Sequence, residues 1–484
     1  MTLHFFDTMT RKMEEFKSMD PLSVKMYTCG PTVYDYPHIG NYRAYAFEDI
    51  LRRYLKYKGY KVTQVMNITD VDDKIIKKTI KDGVSAEEIT EKYTRAFFED
   101  LNTLNIEPAE HYPKATEHIN EMIEIIQVLL DKGYAYKAPD NSIYFSIEKF
   151  KNYGRLAHIN AEELIKGVRV SHDEYSKENL SDFALWKAYD SSDGNVFWET
   201  PLGKGRPGWH IECSAMSQKY LGRHFDIHTG GVDNIFPHHE NEIAQSEAAN
   251  SEKFVNYWMH NEHLLVDNKK MSKSLGNFYT LRDLMDKGFN PLTIRYLYVS
   301  NQYRNKINFT LDGLRAAEKT LSGLHDFIKR LKNIKKEGRL SEKTCSIIKE
   351  TKIKFEDFMD DDLNSPRAIA AIFDMIKEVN ILFTDDKITK DDAAAVIATI
   401  LDFDRVLGLK LETGLYENDI PEEVKKLAEE RALARKNKEW AKSDELRNKL
   451  NDMGFAVEDK KDGTQNIIMT NDKIQITNES KNDK

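Results

Sequence analysis

Cysteine is scarce in this chain: Cys29, Cys213 and Cys345 are the only three among 484 residues. Three thiols cannot form a disulfide framework, which points to a reducing compartment, the cytoplasm, where thiols serve metal binding, catalysis or packing. No Cys-x-x-Cys pair occurs. No run of about 18 apolar residues occurs either, which excludes a helical membrane span. Residues 1–16 mix Arg11, Lys12, Glu14 and Glu15 with short apolar pieces and lack a small-residue cleavage site, so they do not read as a signal peptide. There is no internal repeat. Net positive charge is also lacking. The formal charge of −9 means that any nucleic-acid contact must use a locally basic face. The 40% hydrophobic and 11% aromatic residues suffice for packed cores. At roughly 100–200 residues per domain, the length predicts two to four domains.

Residues 25–30 form a short β-type run. From Tyr42 to Lys58, apolar residues at Ala46, Ile50, Leu51, Tyr54 and Leu55 keep helical spacing, and Gly59 closes the helix. Val62 to Ile68 reads as a second buried strand. Strand, helix and strand at this spacing predict a βαβ unit and a parallel sheet. Thr116 to Lys132 reads as a helix, 141–146 as a strand and 159–187 as irregular, together an insertion. The sheet resumes at 225–228, before Gly230 and Gly231, and 263–266 is a further strand candidate. The pattern is helical from Leu281 almost to Leu411. A linker follows, then a basic helix and a short hairpin. Residues 471–484 are polar and expected to be mobile.

Two motifs carry phosphate chemistry. Residues 29–41 (Cys-Gly-Pro-Thr-Val-Tyr-Asp-Tyr-Pro-His-Ile-Gly-Asn) lie between strand and helix, where free N–H groups and the helix dipole favour an anion. His38 can donate to a phosphate and Gly40 admits close backbone approach. Residues 270–274, Lys-Met-Ser-Lys-Ser, suit a clamp on a polyphosphate, although lysine pairs are commonly just solvated surface. A third set could hold zinc: Cys29, Cys213 in Gly-Trp-His-Ile-Glu-Cys, and His238 with Glu242 four residues apart on one helical face. His210 and His239 are the rival ligands.

Taken together, these motifs resemble the class I aminoacyl-tRNA synthetases, with their His-Ile-Gly-His and Lys-Met-Ser-Lys-Ser signatures. The first signature departs at its last position, where Asn41 replaces histidine. The Cys-Gly-Pro-Thr-Val-Tyr-Asp opening, the run 67–74 (Asn-Ile-Thr-Asp-Val-Asp-Asp-Lys), the Gly-Trp-His-Ile-Glu-Cys box and the Phe-Pro-His-His-Glu-Asn-Glu box resemble the cysteinyl-tRNA synthetase family over nearly the whole chain. The resemblance implies that L-cysteine is activated by ATP to cysteinyl adenylate and passed to tRNA(Cys). It implies Zn2+, one per chain, on Cys29, Cys213, His238 and Glu242, and Mg2+ with ATP. His38, Asn41, Lys270 and Lys273 are then the catalytic residues. ATP is held by Pro31, Thr32, His38, Gly40, Asn41, Gly230, Gly231, Asp233 and Lys273. Cys29, Gly30, Thr69, Asp70 and Trp209 line the amino-acid pocket. Zinc makes physical sense, because an apolar pocket separates near-isosteres such as cysteine and serine by only about 1–3 kcal/mol. Protein synthesis needs on the order of 10⁴-fold, about 5.5 kcal/mol.

The implied fold is α/β: a Rossmann-type parallel-sheet catalytic domain with an insertion, then a helical bundle and a small C-terminal domain. The expected segments are 1–115 and 207–280 for the two sheet halves and 116–206 for the insertion. A helical stem-contact region (281–320), the bundle (321–411), an anticodon-binding domain (421–470) and the tail follow. Arg431, Arg435, Lys436, Lys438, Trp440 and Lys442 crowd one helix-like stretch and suit single-stranded RNA. A solvated helix paired with Glu429, Glu430 and Glu439 is the rival reading. Where the family often has tryptophan after Gly463-Thr464, this chain has Gln465-Asn466. Cys345 is assigned to packing, and the chain is expected to act as a monomer without membrane contact. A cysteine ligase acting on a small amine and a non-catalytic RNA-binding relative are the alternatives. The bundle and basic C-terminal domain oppose the first, and the retained His38, Lys273 and metal donors oppose the second.

Overall fold

The run ahead of Cys29 forms the strand Ser23–Thr28, in which Val24, Met26, Tyr27 and Thr28 are buried. Burial of consecutive residues marks a parallel strand covered on both faces. In this computed structural model, which describes residues 2–159, 182–272, 276–415, 422–437, 439–453, 455–459 and 465–469, that strand is central to a four-stranded sheet. Across the sheet the order is Val255–Asn261, Phe225–Gly231, Ser23–Thr28 and Lys61–Met66, all parallel. Helix Ile39–Tyr57 crosses between the right-hand pair and helix Glu240–Asn250 between the left-hand pair. The two βαβ halves therefore start on adjacent strands and leave in opposite directions. That arrangement opens a crevice beyond the carboxyl ends, where doubly wound sheets bind ligands.

The insertion is a five-stranded antiparallel sheet in the order Ala135–Lys137, Ile143–Ser146, Asp182–Ala188, Gly203–Pro207 and Trp198–Thr200. Asp182–Ala188 corrects the expectation of irregular chain up to residue 187. Its buried Phe183, Ala184, Leu185 and Trp186 are a continuous apolar run without alternation, diluted by polar neighbours. The strand Leu264–Val266 does not join the main sheet. It pairs with Lys269–Lys270 and, in parallel, with Ile307–Phe309, which interrupts the expected helical stretch.

Helices Leu311–Lys332, Glu342–Asp360, Ser365–Thr384 and Lys390–Leu407 follow. The expected boundary between residues 320 and 321 falls inside the first of them, whose buried Leu314, Ala317, Leu321, Leu324 and Ile328 form one unbroken stripe. Everything up to Leu411 packs as one unit. Arg295, fully buried, shows how: it donates to Asp49 of the sheet-crossing helix and to the Leu407 carbonyl (2.8 Å) at the end of the last bundle helix. Cys345 is exposed on helix Glu342–Asp360, so its assignment to packing is corrected.

The second unit, Glu412–Lys484, holds helices Glu422–Lys436 and Trp440–Asp452 and the hairpin Phe455–Asp459 with Gln465–Met469. Two helices stand where one basic helix was expected. Val424, Ala428, Leu450, Phe455 and Val457 form its core. Among the described residues, no helix is long and apolar enough to cross a membrane.

Candidate active site

The two phosphate motifs, far apart in sequence, meet at the crevice. Helix Ile39–Tyr57 begins earlier than its apolar spacing predicts because His38 and Asn41 close a capping box. The Asn41 N–H donates to His38 Nδ1 (3.2 Å) and the His38 N–H donates to Asn41 Oδ1 (3.0 Å). Asparagine in place of the expected histidine thus has a local role: it orients His38 at a helix N-terminus. The segment after Lys-Met-Ser-Lys-Ser closes on the same turn. Ile39 N–H donates to the Tyr279 carbonyl (3.0 Å), and Phe278 lies edge-on to the His38 ring at 5.4 Å.

A cavity of about 320 Å³ opens at this place. Cys29, Gly30, Pro31, Thr32, His38, Gly40, Asn41, Trp209, Gly230, Gly231, Asp233 and Lys270 all line it. Asp233 lies 3.5 Å from His263 Nδ1 and 3.9 Å from Lys270 Nζ, so the acid and the first motif lysine share one rim. Glycine is required where the backbone crowds the site. A Cβ at Gly30 would come 1.7 Å from the Asn67 carbonyl oxygen, and one at Gly230 2.8 Å from the His239 ring. Thr69 and Asp70 do not line the cavity. Thr69 is buried and donates to Glu212 Oε2 (2.9 Å), while Asp70 accepts from the N–H and hydroxyl of Thr116 (2.9 and 2.6 Å). Lys273 lies outside the described residues.

Behind the cavity floor, the donor atoms of Cys29, Cys213, His238 and Glu242 all lie within 4.8 Å of one another. Strand, helix and a distorted turn supply them: Cys29 follows the first strand, Cys213 is on helix Trp209–Leu221, and His238 and Glu242 flank the start of helix Glu240–Asn250. Cys213 Sγ is 3.4 Å from His238 Nε2, His238 Nε2 is 3.1 Å from Glu242 Oε1, and Cys29 Sγ is 4.0 Å from Glu242 Oε1. Tetrahedral zinc with bonds of about 2.0–2.3 Å holds its donors roughly 3.3–3.8 Å apart, close to these separations. The electrostatics also fit a cation. Burial raises the Cys213 thiol, but its hydrogen bond with Cys29 and the neighbouring His238 bring it below the usual thiol range. Burial raises Glu242 too, yet His228 and His238 hold it well below the usual carboxylate range. Burial lowers His238, but the Cys213 and Glu242 charges push it well up. Two buried anions here call for positive charge, and two thiols, an imidazole and a carboxylate are donors of the kind that tetrahedral zinc takes.

A second set, Cys29, His228, His239 and Glu242, is equally close. It offers one thiolate, not two. Its imidazoles serve the first set as orienters: His228 Nε2 is 3.0 Å from Glu242 Oε2, and His239 Nε2 is 3.2 Å from Cys29 Sγ. His239 in turn meets His260 (2.8 Å), which meets the Thr8 hydroxyl (2.8 Å). His210 Nδ1 lies 2.9 Å from His238 Nδ1, and the Trp209 ring stacks on His238 at 4.2 Å. Sequence reasoning missed His228 and His260. Their signal was an imidazole inside a run otherwise reading as a buried parallel strand.

In the second unit, Trp440 is 58% exposed, and the Arg435 guanidinium lies 5.9 Å from its ring centroid. Lys436 and Lys442 are also exposed. Arg431 differs from expectation: it is buried and donates to Gln465 Oε1 (3.0 Å), tying helix to hairpin. Lys438 lies outside the described residues.

Comparison with known proteins agrees with this arrangement. The family model for the class I (C) tRNA synthetase catalytic domain matches residues 15–319, a DALR domain model matches 354–412, and a cysteinyl-tRNA ligase anticodon binding domain model matches 417–466. The chain is 49% identical to the cysteine–tRNA ligase of Protochlamydia amoebophila, covering 96% of this chain and 97% of that one. It is 49% identical to that of Brachyspira hyodysenteriae (95% and 98%) and 50% identical to that of Chlamydia muridarum (96% and 99%). Mycobacterium tuberculosis methionyl-tRNA synthetase in complex with methionyl-adenylate shares the fold, with a TM-score of 0.63 at 14% identity over 81% of this chain and 93% of that one. Neither the small-amine ligase nor the non-catalytic reading finds support in these matches. With three family models in order along the chain and relatives near half identity over full length, the chain belongs to the cysteine–tRNA ligase family of class I aminoacyl-tRNA synthetases.

Proposed function

We propose that the chain joins L-cysteine to tRNA(Cys) in two steps at the crevice. The cysteine carboxylate attacks the α-phosphate of ATP and pyrophosphate leaves. A terminal ribose hydroxyl of the tRNA then attacks the cysteinyl carbonyl and AMP leaves. Neither step needs a protein nucleophile, so the residues act by positioning and charge stabilisation. His38, held by Asn41, donates to the triphosphate beside the N–H groups of its helix. Gly230 and Gly231 let the nucleotide approach the strand end, and Asp233 accepts from the ribose hydroxyls. Lys270 and Lys273 neutralise the phosphate charge that develops, and Mg2+ travels with ATP.

Zinc bound by Cys29, Cys213, His238 and Glu242 supplies a centre that takes a thiolate and leaves serine's hydroxyl a weak neutral ligand. One observation carries this reading: Cys29 is both a donor of the buried set and a lining residue of the nucleotide cavity. A substrate whose side chain reaches the donor set can thus present its carboxylate to the α-phosphate. Trp209, on the cavity wall and stacked on His238, shields that end from water. In the second unit, Arg435, Lys436, Trp440 and Lys442 form the RNA-facing surface, with Trp440 as a base-stacking platform. Three thiols without a disulfide framework suit work in the reducing cytoplasm.

The test is aminoacylation of a cysteine tRNA transcript, with metal analysis of the same sample. Charging with cysteine and not serine, at about one zinc per chain, is the expected result. Serine charged as readily as cysteine, or full activity in a zinc-free chain, overturns the selection by metal.

A further inference from the structure

Helix Asp73–Asp82 has no part in the chemistry above, and its charge runs against that of the chain. The protein carries a formal charge of −9, yet this short helix holds Lys74, Lys77, Lys78 and Lys81. At about 3.6 residues per turn the four lysines fall within roughly 100° of one another. The opposite face carries Ile75 and Ile76, both buried. Lys74 and Lys78 are half-buried, and Lys77 and Lys81 are exposed. Lys78 pairs with Asp82 at 3.4 Å, whereas among the described residues no acid lies within ion-pairing distance of Lys77 or Lys81. Asp73 is drawn the other way, to Lys187 (2.9 Å) and Arg206 of the inserted sheet. The loop before the helix runs along the first phosphate motif: Val33 N–H donates to the Thr69 carbonyl and Thr69 N–H to the Pro31 carbonyl, each at 3.1 Å. Pro31 and Thr32 line the nucleotide cavity, and Lys74 Nζ lies 5.6 Å from the ring centroid of Tyr34 in the same motif. The lysine row therefore starts at the rim of the crevice, between the phosphate motif and the insertion. Seven residues at about 1.5 Å each carry it roughly 10 Å further, to Ile80 and Lys81, both exposed.

We infer that this lysine face is a docking surface for the phosphate backbone of the tRNA acceptor arm. The inference rests on the reading of the chain as a tRNA-charging enzyme and deepens it: that reading brings a terminal ribose to the crevice, and the lysine face supplies what guides the strand there. Each incoming nucleotide adds a phosphate charge, which the net negative chain repels. A row of cations at the rim offsets that repulsion and releases counterions from the strand. Lysine suits the backbone and not the bases, because a point charge on a flexible stem follows a phosphate without reading sequence. The face thus contributes affinity and placement, and no choice among tRNAs. A solvated helix face that binds nothing is the rival, and it predicts no salt-linked change when the lysines are neutralised.

The experiment compares the full chain with its Lys77→Gln, Lys81→Gln double variant. Both side chains are exposed, so the core is untouched. Binding of a tRNA(Cys) transcript is followed across a salt series. Iodine cleavage of a phosphorothioate-substituted transcript maps the covered phosphates, and cysteine-dependent pyrophosphate exchange is measured without tRNA. We expect binding about 10-fold weaker at low salt, and a plot of log affinity against log salt less steep by about 1 for each lysine removed. Protection should be lost at phosphates of the acceptor arm and kept in the anticodon arm, with pyrophosphate exchange unchanged. An unaltered salt slope overturns the proposal, and so does protection lost anywhere but the acceptor arm. A parallel fall in pyrophosphate exchange also overturns it, because it would put the lysines in the nucleotide site. A wild-type chain that activates cysteine but neither binds nor charges the transcript overturns instead the tRNA reading beneath it, so the two failures are told apart.

Discussion

The crevice and the C-terminal unit are built for their proposed ligands in opposite ways. At the crevice the working groups come from segments far apart in the chain, and the proposed metal donors other than the half-buried Cys29 are buried, with His239 and Glu242 fully enclosed. In the C-terminal unit they come from adjacent helices, and Trp440 stands 58% exposed. Burial makes each polar group at the crevice depend on a specific partner, because an unpaired charge there costs several kcal/mol. Exposure lets the C-terminal groups contribute in small, replaceable increments. Single substitutions should therefore be severe in the first region and graded in the second.

The largest effect is expected from Cys213→Ala. Loss of one of two thiolates should remove zinc from the purified chain and lower cysteine-dependent pyrophosphate exchange by more than about 100-fold. A variant that keeps its zinc and its exchange rate erases the contrast altogether. Lys273→Ala should lower the exchange rate by about 100-fold while the zinc content stays at the wild-type value. If zinc were lost with it, the clamp and the metal centre would not be the separate devices described above. Trp440→Ala should raise KM for tRNA on the order of 10-fold and leave pyrophosphate exchange unchanged. Arg431→Ala sharpens this test. It should loosen the unit in hydrogen exchange, and an affinity loss equal to that of Trp440→Ala in an intact fold would put Arg431 back on the RNA face.

Glu48 offers a pH test inside the buried region. One of its oxygens accepts from the Thr229 hydroxyl (3.0 Å), the other has no partner among the described residues, and burial pushes its pKa up to about 8. The unfolded carboxyl titrates near about 4.3. Between those values the folded chain holds a proton that the unfolded chain has released, so this group's contribution to stability falls as pH rises. Glu48→Gln removes that fall. The variant's Tm relative to wild type should climb between pH 5 and pH 8, and a constant difference would show Glu48 ionised in the fold. The smallest effect is expected from Asn41→Ala, which breaks the capping box. It should cost about 1 kcal/mol in thermal unfolding, and Asn41→Asp should recover most of the loss. No change in Tm would mean that Asn41 serves the nucleotide alone.

Much of the site was legible because its chemistry is written in short contiguous strings. The strings 29–41 and 270–274 read as phosphate motifs, and residues of the first line one cavity with Lys270 and Met271, while 207–213 and 236–242 bring Cys213, His238 and Glu242 to Cys29. The βαβ spacing gave the parallel sheet, since helix and strand periods are local properties. The misses have physical causes. In Asp182–Ala188, Phe183, Ala184, Leu185 and Trp186 are buried in succession and show no alternation. Arg431 has the composition of an RNA contact, yet its guanidinium faces Gln465 inside the unit. Thr69 and Asp70 end at the ligand-binding side but are taken up by Glu212 and Thr116.

The residue order alone determined which chemistries were available: two thiols, a His and a Glu four apart, and two lysines flanking Met-Ser. Those are covalent facts, independent of conformation. Which atoms meet was decided only by the tertiary structure. Packing of helix Trp209–Leu221 against the first strands brings Cys213 to Cys29 and His238. The capping box that makes Asn41 a support for His38 is likewise a matter of backbone geometry. Distances of three to four ångströms between segments two hundred residues apart follow from burial of the apolar surfaces that carry them, and no local pattern encodes such a distance.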